Sequence, residues 1–298
     1  MELRWLQAFV VVAEELHFGR AAERLGTGTS PLSQTVRRLE RELDAELFAR
    51  STRSVELTDA GHALLPHARA VLAQLELGRR AAGAPSAVYG RVSIAFSGAH
   101  NHQTLPVLTR HLRAAHPHVD LDLHPHGHTG AAVRRLLRGE VDLAFVGLPV
   151  TEEGLAVRPI AVDGVGVVAA TDHRFAAARE VALVDVAGEP LVVPPAADGS
   201  VLRDLLLGAA HAAGHEPRIV QEVADAFTVL ALAAGGIGVT LAPSCVASIL
   251  PAGAVYRPLA PAATTVTGLA WRVRDVGAAL SAVLQTAELA LPTPPGHD

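Results

Sequence analysis

The chain has 298 residues, half of them hydrophobic, so it is long enough for one large folded unit or two to three smaller ones. Its single cysteine, Cys245, excludes an internal disulfide framework and a cysteine-rich zinc site, and is predicted to be a buried small side chain. The net charge of -5 does not suggest a nucleic-acid partner. All 25 basic residues are arginines, and seven of them lie between Arg20 and Arg53. This segment could have a basic face, or the arginines could belong to an ordinary solvated surface.

The first forty residues contain the patterns of three short helices. Apolar residues recur at helical spacing from Leu6 to Ala13 and again from Phe18 to Leu25, and Gly26 ends the second helix. A third helix is predicted to begin with Ser30 as N-cap and Pro31 at the first helical position. The buried stripe of this third helix is predicted to be Leu32, Val36, Leu39 and Leu43.

The other side of the third helix is polar and basic, and two short helices joined by a tight turn form a helix-turn-helix. Its second helix fits the major groove of DNA, where Ser, Gln and Arg side chains contact base edges. The pieces LFAR and SVELT then predict a β-hairpin, or wing, that places Arg50 and Arg53 against phosphates or the minor groove. Any three-helix bundle produces part of this pattern, so the pattern alone leaves DNA binding and ordinary packing open.

A long helical pattern follows, capped by Thr58 and Asp59. Its narrow apolar stripe is typical of a coiled-coil seam, which requires a partner chain or, alternatively, packing against the preceding domain. The segment 81–89 consists mostly of small residues and includes a proline, which predicts a linker. The stripe consists of Leu64, Ala68, Val71, Leu75 and Gly78.

From Arg91 onward the pattern alternates between short apolar strands and helices. The strand candidates are RVSIAF, VDLDLHPH, VDLAFVG, VGVVAA, LVVP, IVQEV and GIGVTLAP, with helical patterns at 104–115, 130–138, 200–213 and 226–234. This alternation predicts a mostly parallel sheet with helices on both faces, arranged as two α/β lobes. Such sheets bind ligands at the C-terminal ends of their strands.

Motifs of common enzymes do not occur in the sequence. There is no G-x-x-x-x-G-K-[ST] or G-x-S-x-G, and the pair Gly26 and Gly28 follows a helix rather than a strand, which argues against a nucleotide site. His124, His126 and His128 alternate along a strand and in principle share a face for a metal. No supporting carboxylate or thiolate set accompanies them, so exposed loop histidines are the favoured reading and no metal or cofactor is expected.

The sequence contains no apolar run of 18 residues and no secretory leader, so we expect no membrane association and a cytoplasmic location. His100 and His102 follow the strand RVSIAF and precede a helix, which is the position where an α/β lobe binds ligands.

The stretch HFGRAAERLGTGTSPLSQTVRRLERELDAELFARSTRSVELTDAG closely resembles the signature of the LysR-type transcriptional regulators. The resemblance implies an α/β chain with an N-terminal winged helix-turn-helix at 1–58, a linker and dimerisation helix with a hinge at 59–89, and an effector domain at 90–298 that is two-lobed and similar to type II periplasmic binding proteins. Lobe I would comprise about 90–162 and 266–298, and lobe II about 163–265. The matching residues are Phe18, Ala21, Ala22, Leu25, Leu32, Ser33, Leu39, Glu40, Leu47, Phe48, Arg50, Leu57, Thr58, Ala60 and Gly61.

The likeness also implies a double-stranded DNA partner and a set of contact residues. Thr29, Ser33 and Gln34 would bind base edges, and the arginines would mostly meet phosphates. Gly28, Thr29 and Ser30 stand where the family usually has Ser-Gln-Pro, and Asp44 replaces a glycine that commonly ends the recognition helix. The predicted DNA contacts are Thr29, Ser30, Ser33, Gln34, Arg37, Arg38, Arg50 and Arg53.

In the second part the resemblance is looser and rests on GRVSIAF, the run from LPVLTRHLRAAHPHVDLDLHPHGHTG to VDLAFVG, and ALAAGGIGVTLAPS. It implies a small-molecule effector in a cleft between the lobes, a homodimer formed through the linker helix, a dimer of dimers, and RNA polymerase as a partner of an activator. It implies no enzymatic activity. A transport-type binding protein with an incidental helical N-terminus is the alternative, and a metal enzyme is a second. The predicted effector contacts are Ser97, Gly98, His100, Thr129, Gly147, Pro195, Ala196, Asp225 and Phe227.

Overall fold

The computed structural model describes residues 1–50, 55–83, 87–96, 101–125 and 128–296. The chain forms two compact units, Met1–Ala87 and Val88–Asp298. The first unit contains α1 (Leu3–Glu15), α2 (Phe18–Arg24), α3 (Thr29–Leu43), β1 (Phe48–Arg50), β2 (Val55–Leu57) and α4 (Asp59–Gly83).

The first unit is built around an apolar core shared by the helices and the wing. Phe9 of α1 and Leu39 of α3 are fully buried, and the Phe9 ring lies 5.5 Å from that of Phe48 in β1. Phe18 contacts the same ring from α2, at 6.0 Å. Leu43, predicted as part of the buried stripe, is 38% exposed because α3 ends there and the chain turns away from the core.

The start of α3 lies earlier than predicted. Gly28 is the N-cap, and the amide of Leu32 donates to its carbonyl over 3.1 Å, so Ser30 is not the cap and Pro31 is not the first helical residue. Pro31 still lies in the first turn, where backbone amides have no partner within the helix. A proline at any position of that turn therefore costs no hydrogen bond within the helix, which allows the helix to begin at Thr29.

The end of α3 is a left-handed residue other than glycine. Asp44 is the C-cap with φ 49° and ψ 40°, a conformation that costs an L-residue roughly 1 kcal/mol. Its carboxylate also lies at the negative end of the helix dipole.

We therefore expect Asp44→Gly to raise the free energy of unfolding of the first unit by about 1 kcal/mol, measured by urea denaturation. The matched change Glu42→Gly, inside the same helix, should instead lower it by about 1 kcal/mol; equal effects of the two changes would contradict the strain at Asp44.

The helix α4 begins as predicted. The hydroxyl of Thr58 accepts a hydrogen bond of 3.0 Å from the amide of Gly61, which makes Thr58 the N-cap. Leu64 and Ala68 of the predicted stripe pack against the core of their own unit, whereas Val71 is 44% exposed. The first half of the stripe therefore packs within the chain, which was the alternative to a partner chain.

In its described residues the second unit contains nine strands and six α-helices. These are β3 (Gly90–Phe96), α5 (Asn101–Ala115), β4 (Val119–Pro125), α6 (Thr129–Leu137), β5 (Leu143–Gly147), β6 (Leu155–Ala170), α7 (Leu183–Ala187), β7 (Leu191–Val193), α8 (Val201–Ala212), β8 (Ile219–Glu222), α9 (Ala226–Ala234), β9 (Thr240–Pro243), β10 (Ala254–Pro258), β11 (Thr264–Arg272) and α10 (Ala278–Ala290). Single-turn 3-10 helices lie at Arg174–Ala177, Ala196–Asp198 and Ser244–Ser248.

The pairing of these strands differs from the predicted mostly parallel sheet. β3 runs parallel to β4 and β5, but β11 is antiparallel to both β5 and β6, and β6 is antiparallel to β9 and β10. The alternation of strands and helices in the sequence does not reveal the direction of each strand. Here the antiparallel pairs arise from β6 and β11, which pass between the lobes. The prediction of a mostly parallel arrangement is therefore wrong, while the two-lobed α/β architecture is confirmed.

The strand β6 belongs to both lobes. Residues 155–164 of this strand pair with β11, and residues 165–170 pair with β9 and β10. Lobe I has its core around Ile94 and Phe145, and lobe II around Val167 and Leu191. Cys245 is buried in lobe II, as predicted, and burial raises the pKa of its thiol to about 12.

Candidate DNA-contacting face and ligand cleft

The α3 outer face is a continuous polar surface opposite the buried stripe. Successive residues of a helix are about 100° apart, so positions 29, 30, 33, 34, 37 and 38 cover about half of its circumference. All six are exposed except for the half-buried Ser33. The residues of this face are Thr29, Ser30, Ser33, Gln34, Arg37 and Arg38.

Three arginines elsewhere in the first unit are held by carboxylates of α1. Arg24 contacts Glu14 at 2.9 Å and Glu15 at 3.1 Å, Arg20 contacts Glu15 at 3.3 Å, and Arg69 of α4 contacts Glu14 at 3.1 Å. These contacts join α1, α2 and α4. The positive charge that they contribute is consequently neutralised within the unit.

Arg37 and Arg38 differ from that group. Neither forms an ion pair with any other residue that the structure describes, and both are exposed. Residues 1–80 contain eleven arginines and eleven acidic residues. Among those that the structure describes, the acidic residues pair with Arg20, Arg24 and Arg69 but not with Arg37 or Arg38. The α3 outer face therefore carries positive charge in a segment with no net charge.

The wing is fixed to α3 by a carboxylate. Glu40 accepts hydrogen bonds from the backbone amides of Leu47 at 3.1 Å and Phe48 at 3.4 Å. β1 and β2 pair antiparallel, which confirms the two strands of the predicted hairpin. Arg53 and the side chain of Arg50 lie outside the described residues, so their contacts with DNA stay predictions.

The cleft of the second unit lies between the two lobes, with a volume of about 150 Å³. Lobe I contributes the start of α6 and the end of β5, lobe II contributes β9 and the first turns of α8 and α9, and β11 runs past the cleft. Most of the wall is apolar. Its polar side chains are His128, Thr129, Ser200, Arg203, Thr240, Thr265 and Thr267.

Three helices begin at this cleft. Thr129 is the first residue of α6, Ser200 caps α8 by accepting from the amide of Arg203 at 3.4 Å, and Asp225 caps α9. The hydroxyl and amide of Thr228 donate to the Asp225 carboxylate and hold its pKa below the usual range. Helix N-termini present unpaired amides and a positive potential, which favours electron-rich groups of a ligand.

The predicted effector contacts are partly brought together. Thr129 and Gly147 both line the cleft, and the Thr129 hydroxyl accepts from the Gly147 amide at 2.7 Å. Pro194 and Ala226 lie on the wall, next in sequence to predicted residues that do not. The predicted residues off the wall are Pro195, Ala196, Asp225 and Phe227, and those outside the described residues are Ser97, Gly98 and His100.

His128 is not an exposed loop residue, which corrects the sequence interpretation. Its ring lines the cleft at the N-terminus of α6, and its Nε2 is buried with no hydrogen-bond partner among the described residues. Burial lowers the pKa of this ring, more than Asp198 and the Ala224 carbonyl raise it. The imidazole is therefore neutral at pH 7.

Several wall residues were missed by the sequence analysis. Thr265 and Thr267 occupy alternate positions of β11, so both side chains lie on one face of that strand. The sequence TTVTG could have been recognised as a strand. The position of this strand beside the cleft, however, depends on the pairing of β11 with β5 and β6. The missed polar residues are His128, Ser200, Arg203, Thr240, Thr265 and Thr267.

The lobes also touch each other directly. The amide of Gly130 donates to the Gly199 carbonyl at 3.3 Å, and a guanidinium nitrogen of Arg134 donates to the Ala197 carbonyl at 2.7 Å. A Cβ on Gly130 would lie 2.8 Å from the Asp198 carbonyl oxygen, so only glycine permits this close approach. The same contacts hold the start of α6 against the 3-10 helix Ala196–Asp198.

A second bridge between the lobes joins His102 and Ser248, whose Nε2 and Oγ atoms are 3.0 Å apart. Among the described residues there is no group of three or more His, Cys, Asp or Glu side chains placed to hold a metal ion. No described helix combines the length and the apolar character that crossing a membrane requires.

Comparison with known proteins gives matches along nearly the whole chain. Residues 3–62 match the family described as bacterial regulatory helix-turn-helix protein, lysR family, and residues 86–290 match the LysR substrate binding domain. The HTH-type transcriptional regulator ShiR of Corynebacterium glutamicum is 41% identical over 289 residues, which cover 96% of this chain and 98% of ShiR. IlvR of Caulobacter vibrioides is 34% identical over 289 residues, covering 96% and 97%.

Solved structures of full length are similar as well. CbnR complexed with its target DNA has a TM-score of 0.73 and 26% identity, covering 97% of this chain and 100% of CbnR. Full-length BenM has a TM-score of 0.58 and 27% identity, covering 99% and 100%.

Proposed function

Because the chain belongs to the LysR family of transcriptional regulators, we propose that the α3 outer face enters the major groove of its operator. The chain is a DNA-binding regulator whose partners are double-stranded DNA, a small-molecule effector and further copies of itself. In the groove, Thr29, Ser33 and Gln34 donate and accept hydrogen bonds at base edges. Ser30 lies beside them on the first turn.

The observation that carries this proposal is the free positive charge beside polar side chains on one helix face. Arg37 and Arg38 are exposed and form no ion pair within the described residues, whereas Arg20, Arg24 and Arg69 are neutralised. Phosphates are the groups that such arginines contact, often with two parallel hydrogen bonds. Arg50 and Arg53 of the wing extend the same phosphate contacts.

The effector occupies the cleft between the lobes, beside Thr129 and Gly147. Ser97, Gly98 and His100, which follow β3 in the sequence, complete its binding site. Pro195, Ala196, Asp225 and Phe227, which lie off the wall described above, act from lobe II through the neighbouring wall residues Pro194 and Ala226. An effector changes the arrangement of the lobes only as far as it binds one arrangement more tightly than the other. The direct contacts of Gly130 and Arg134 with lobe II belong to one such arrangement.

The proposed organisation follows the sequence boundaries. Residues 1–58 bind DNA, residues 59–89 form the dimerisation helix and hinge, and residues 90–298 bind the effector, with lobe I at 90–162 and 266–298 and lobe II at 163–265. The exposed Val71 and the half-buried Leu75 of α4 face a second copy, and two dimers form a tetramer. The protein acts in the cytoplasm without catalytic activity of its own, and it contacts RNA polymerase where the output is activation.

The proposal is tested by the salt dependence of DNA binding. Fluorescence anisotropy with DNA from upstream of its own coding region should give an affinity that falls steeply as salt rises. Each phosphate neutralised contributes a slope of about 0.9 log unit of affinity per log unit of salt. Absent or salt-independent binding would show that the α3 outer face is not a DNA-contacting surface, and would favour a protein that only binds a small molecule.

A further inference from the structure

The helix α4 is fixed to the segment before the wing at its first turn. The hydroxyl of Thr58 donates to the Glu46 carbonyl at 2.6 Å, and the amide of Thr58 donates to the Leu47 carbonyl at 3.1 Å. A Cβ on Gly61 would lie 2.2 Å from the oxygen of that second carbonyl, so the two backbones are in close contact there. The start of α4 is therefore a pivot whose position is set by backbone contacts.

Beyond this pivot, α4 packs on the core of the first unit through apolar side chains. Ala68 is buried, and Leu64, Leu65 and Leu72 lie against the same core. Apolar burial is non-directional, since it depends on the area removed from water and not on the placement of particular atoms. These contacts hold α4 against the unit but resist small changes of its angle only weakly.

A charged contact fixes that angle more closely. A guanidinium nitrogen of Arg69 lies 3.1 Å from Oε1 of Glu14 in α1. Arg69 lies ten residues after Asp59, the first residue of α4, which is about 15 Å along the helix axis. A contact at this distance from the pivot limits the helix angle more than a contact beside it, because the same rotation displaces it further.

Glu14 is itself held in place. Its other oxygen, Oε2, lies 2.9 Å from Arg24 of α2, and Arg24 also contacts Glu15 at 3.1 Å. Exposed ion pairs contribute little when isolated, partly because two long side chains lose conformational freedom. Here Arg24 already orders the carboxylate, so less of that freedom is lost when Arg69 binds it. Through Glu14, α1 links α4 to α2, which forms the helix-turn-helix with α3.

The angle of α4 matters because regulators of this kind bind DNA as assemblies of identical copies. In a two-fold symmetric dimer each contact of one copy also occurs in the other, so a change of the angle acts twice. Paired helix-turn-helix units bind two half-sites whose separation matches that of their recognition helices. The contact between Glu14 and Arg69 joins the helix-turn-helix to the dimerisation helix proposed above, which is where this separation is set.

We propose that Glu14 and Arg69 are positioning residues that determine which half-site spacing the protein accepts. This inference rests on the proposed function, since it concerns how the α3 outer faces of two copies are placed on DNA. Neither residue needs to contact DNA for this role, because both act through the orientation of α4.

The test measures spacing selectivity with the full-length chain. Footprinting on DNA from upstream of its own coding region locates the half-sites, and two base pairs are then inserted between them. The insertion rotates one half-site by roughly 70° relative to the other. Spacing selectivity is the ratio of the affinities for the original and the expanded DNA, measured by fluorescence anisotropy. A duplex with one half-site reports the affinity of the α3 outer face by itself.

Two variants break the contact while changing the charge in opposite directions. Arg69→Gln removes a positive charge and Glu14→Gln a negative one, so their overall affinities for DNA should move apart. Both should nevertheless lower the spacing selectivity by roughly 3-fold, because each loses one exposed ion pair per copy. Arg69→Lys keeps the charge and should restore most of the selectivity. The matched control is Arg110→Gln, exposed on α5 of the second unit, which should leave the ratio unchanged.

Four outcomes would overturn the inference. These are unchanged selectivity in both variants, an equal fall of the ratio in Arg110→Gln, an unaltered chain that binds both DNAs alike, and a loss of single half-site affinity that accounts for the whole effect. The last outcome would leave the pair with a role in stability only. Absent or salt-independent DNA binding refutes the proposed function instead, whereas intact binding with unchanged spacing selectivity refutes this inference alone.

Discussion

Replacing Arg37 and Arg38 together with alanine is expected to weaken operator binding by roughly 10- to 100-fold at physiological salt. The two side chains are exposed on the α3 outer face and form no ion pair within the described residues. Removing two phosphate contacts should lower the salt slope by about 1.8 for each DNA-binding domain engaged. Fluorescence anisotropy over a range of salt concentrations measures both quantities, and the loss should be similar for operator and unrelated DNA.

The matched control removes the same charge elsewhere. Arg110 and Arg113 are exposed on α5 of the second unit, so Arg110→Ala with Arg113→Ala changes the net charge equally. This pair should leave affinity and salt slope within error of the unaltered chain. If both double variants weaken binding alike, the effect comes from overall charge and not from the α3 outer face.

Replacing Gly61 with alanine is expected to disrupt the first unit. An added Cβ would lie 2.2 Å from the carbonyl oxygen of Leu47 and 2.8 Å from Cδ2 of Leu57, so the start of α4 or the wing has to move. Overpacking against backbone costs about 3 kcal/mol, which is a large share of the stability of a small unit. Thermal unfolding should show an earlier transition for the first unit, an unchanged one for the second, and DNA binding should be lost.

Gly208, inside α8 of the second unit, provides the control. A Cβ there would meet no atom within 4 Å, so Gly208→Ala should stabilise α8 by about 0.5 to 1 kcal/mol and preserve DNA binding. A Gly61→Ala chain that unfolds like the unaltered chain and still binds DNA would contradict the close packing of the wing on α4.

The first unit was largely predictable because its signals are local. Helical spacing from Leu6 and from Phe18, with Gly26 after the second helix, predicted α1 and α2. The start of α3 was misplaced because proline is tolerated anywhere in a first turn, so Pro31 does not fix the first residue. Leu43 is exposed because the chain turns at Asp44. The spacing of apolar residues does not predict where this turn occurs.

The cleft was less predictable because its walls come from distant parts of the chain. Family resemblance suggested Thr129 and Gly147, and both lie on the wall. Thr265 and Thr267 reach the same cleft more than a hundred residues later, through antiparallel pairing that a pattern of strands and helices does not specify. His128 was misjudged for a similar reason, since its ring interacts with Asp198 and Ala224 of lobe II, which its own segment does not reveal.

The passage of β6 through both lobes has a mechanical consequence. Beyond the end of β5, its residues 162–164 pair with residues 264–266 of β11, so the connection between the lobes is a two-stranded ribbon and not a pair of slack loops. A ribbon resists shear, because sliding breaks its hydrogen bonds, but it yields to twist and bending. The register shift between Thr267 and Gly268 is where bending is easiest. We therefore expect the lobes to open by twisting about this ribbon, next to Thr267.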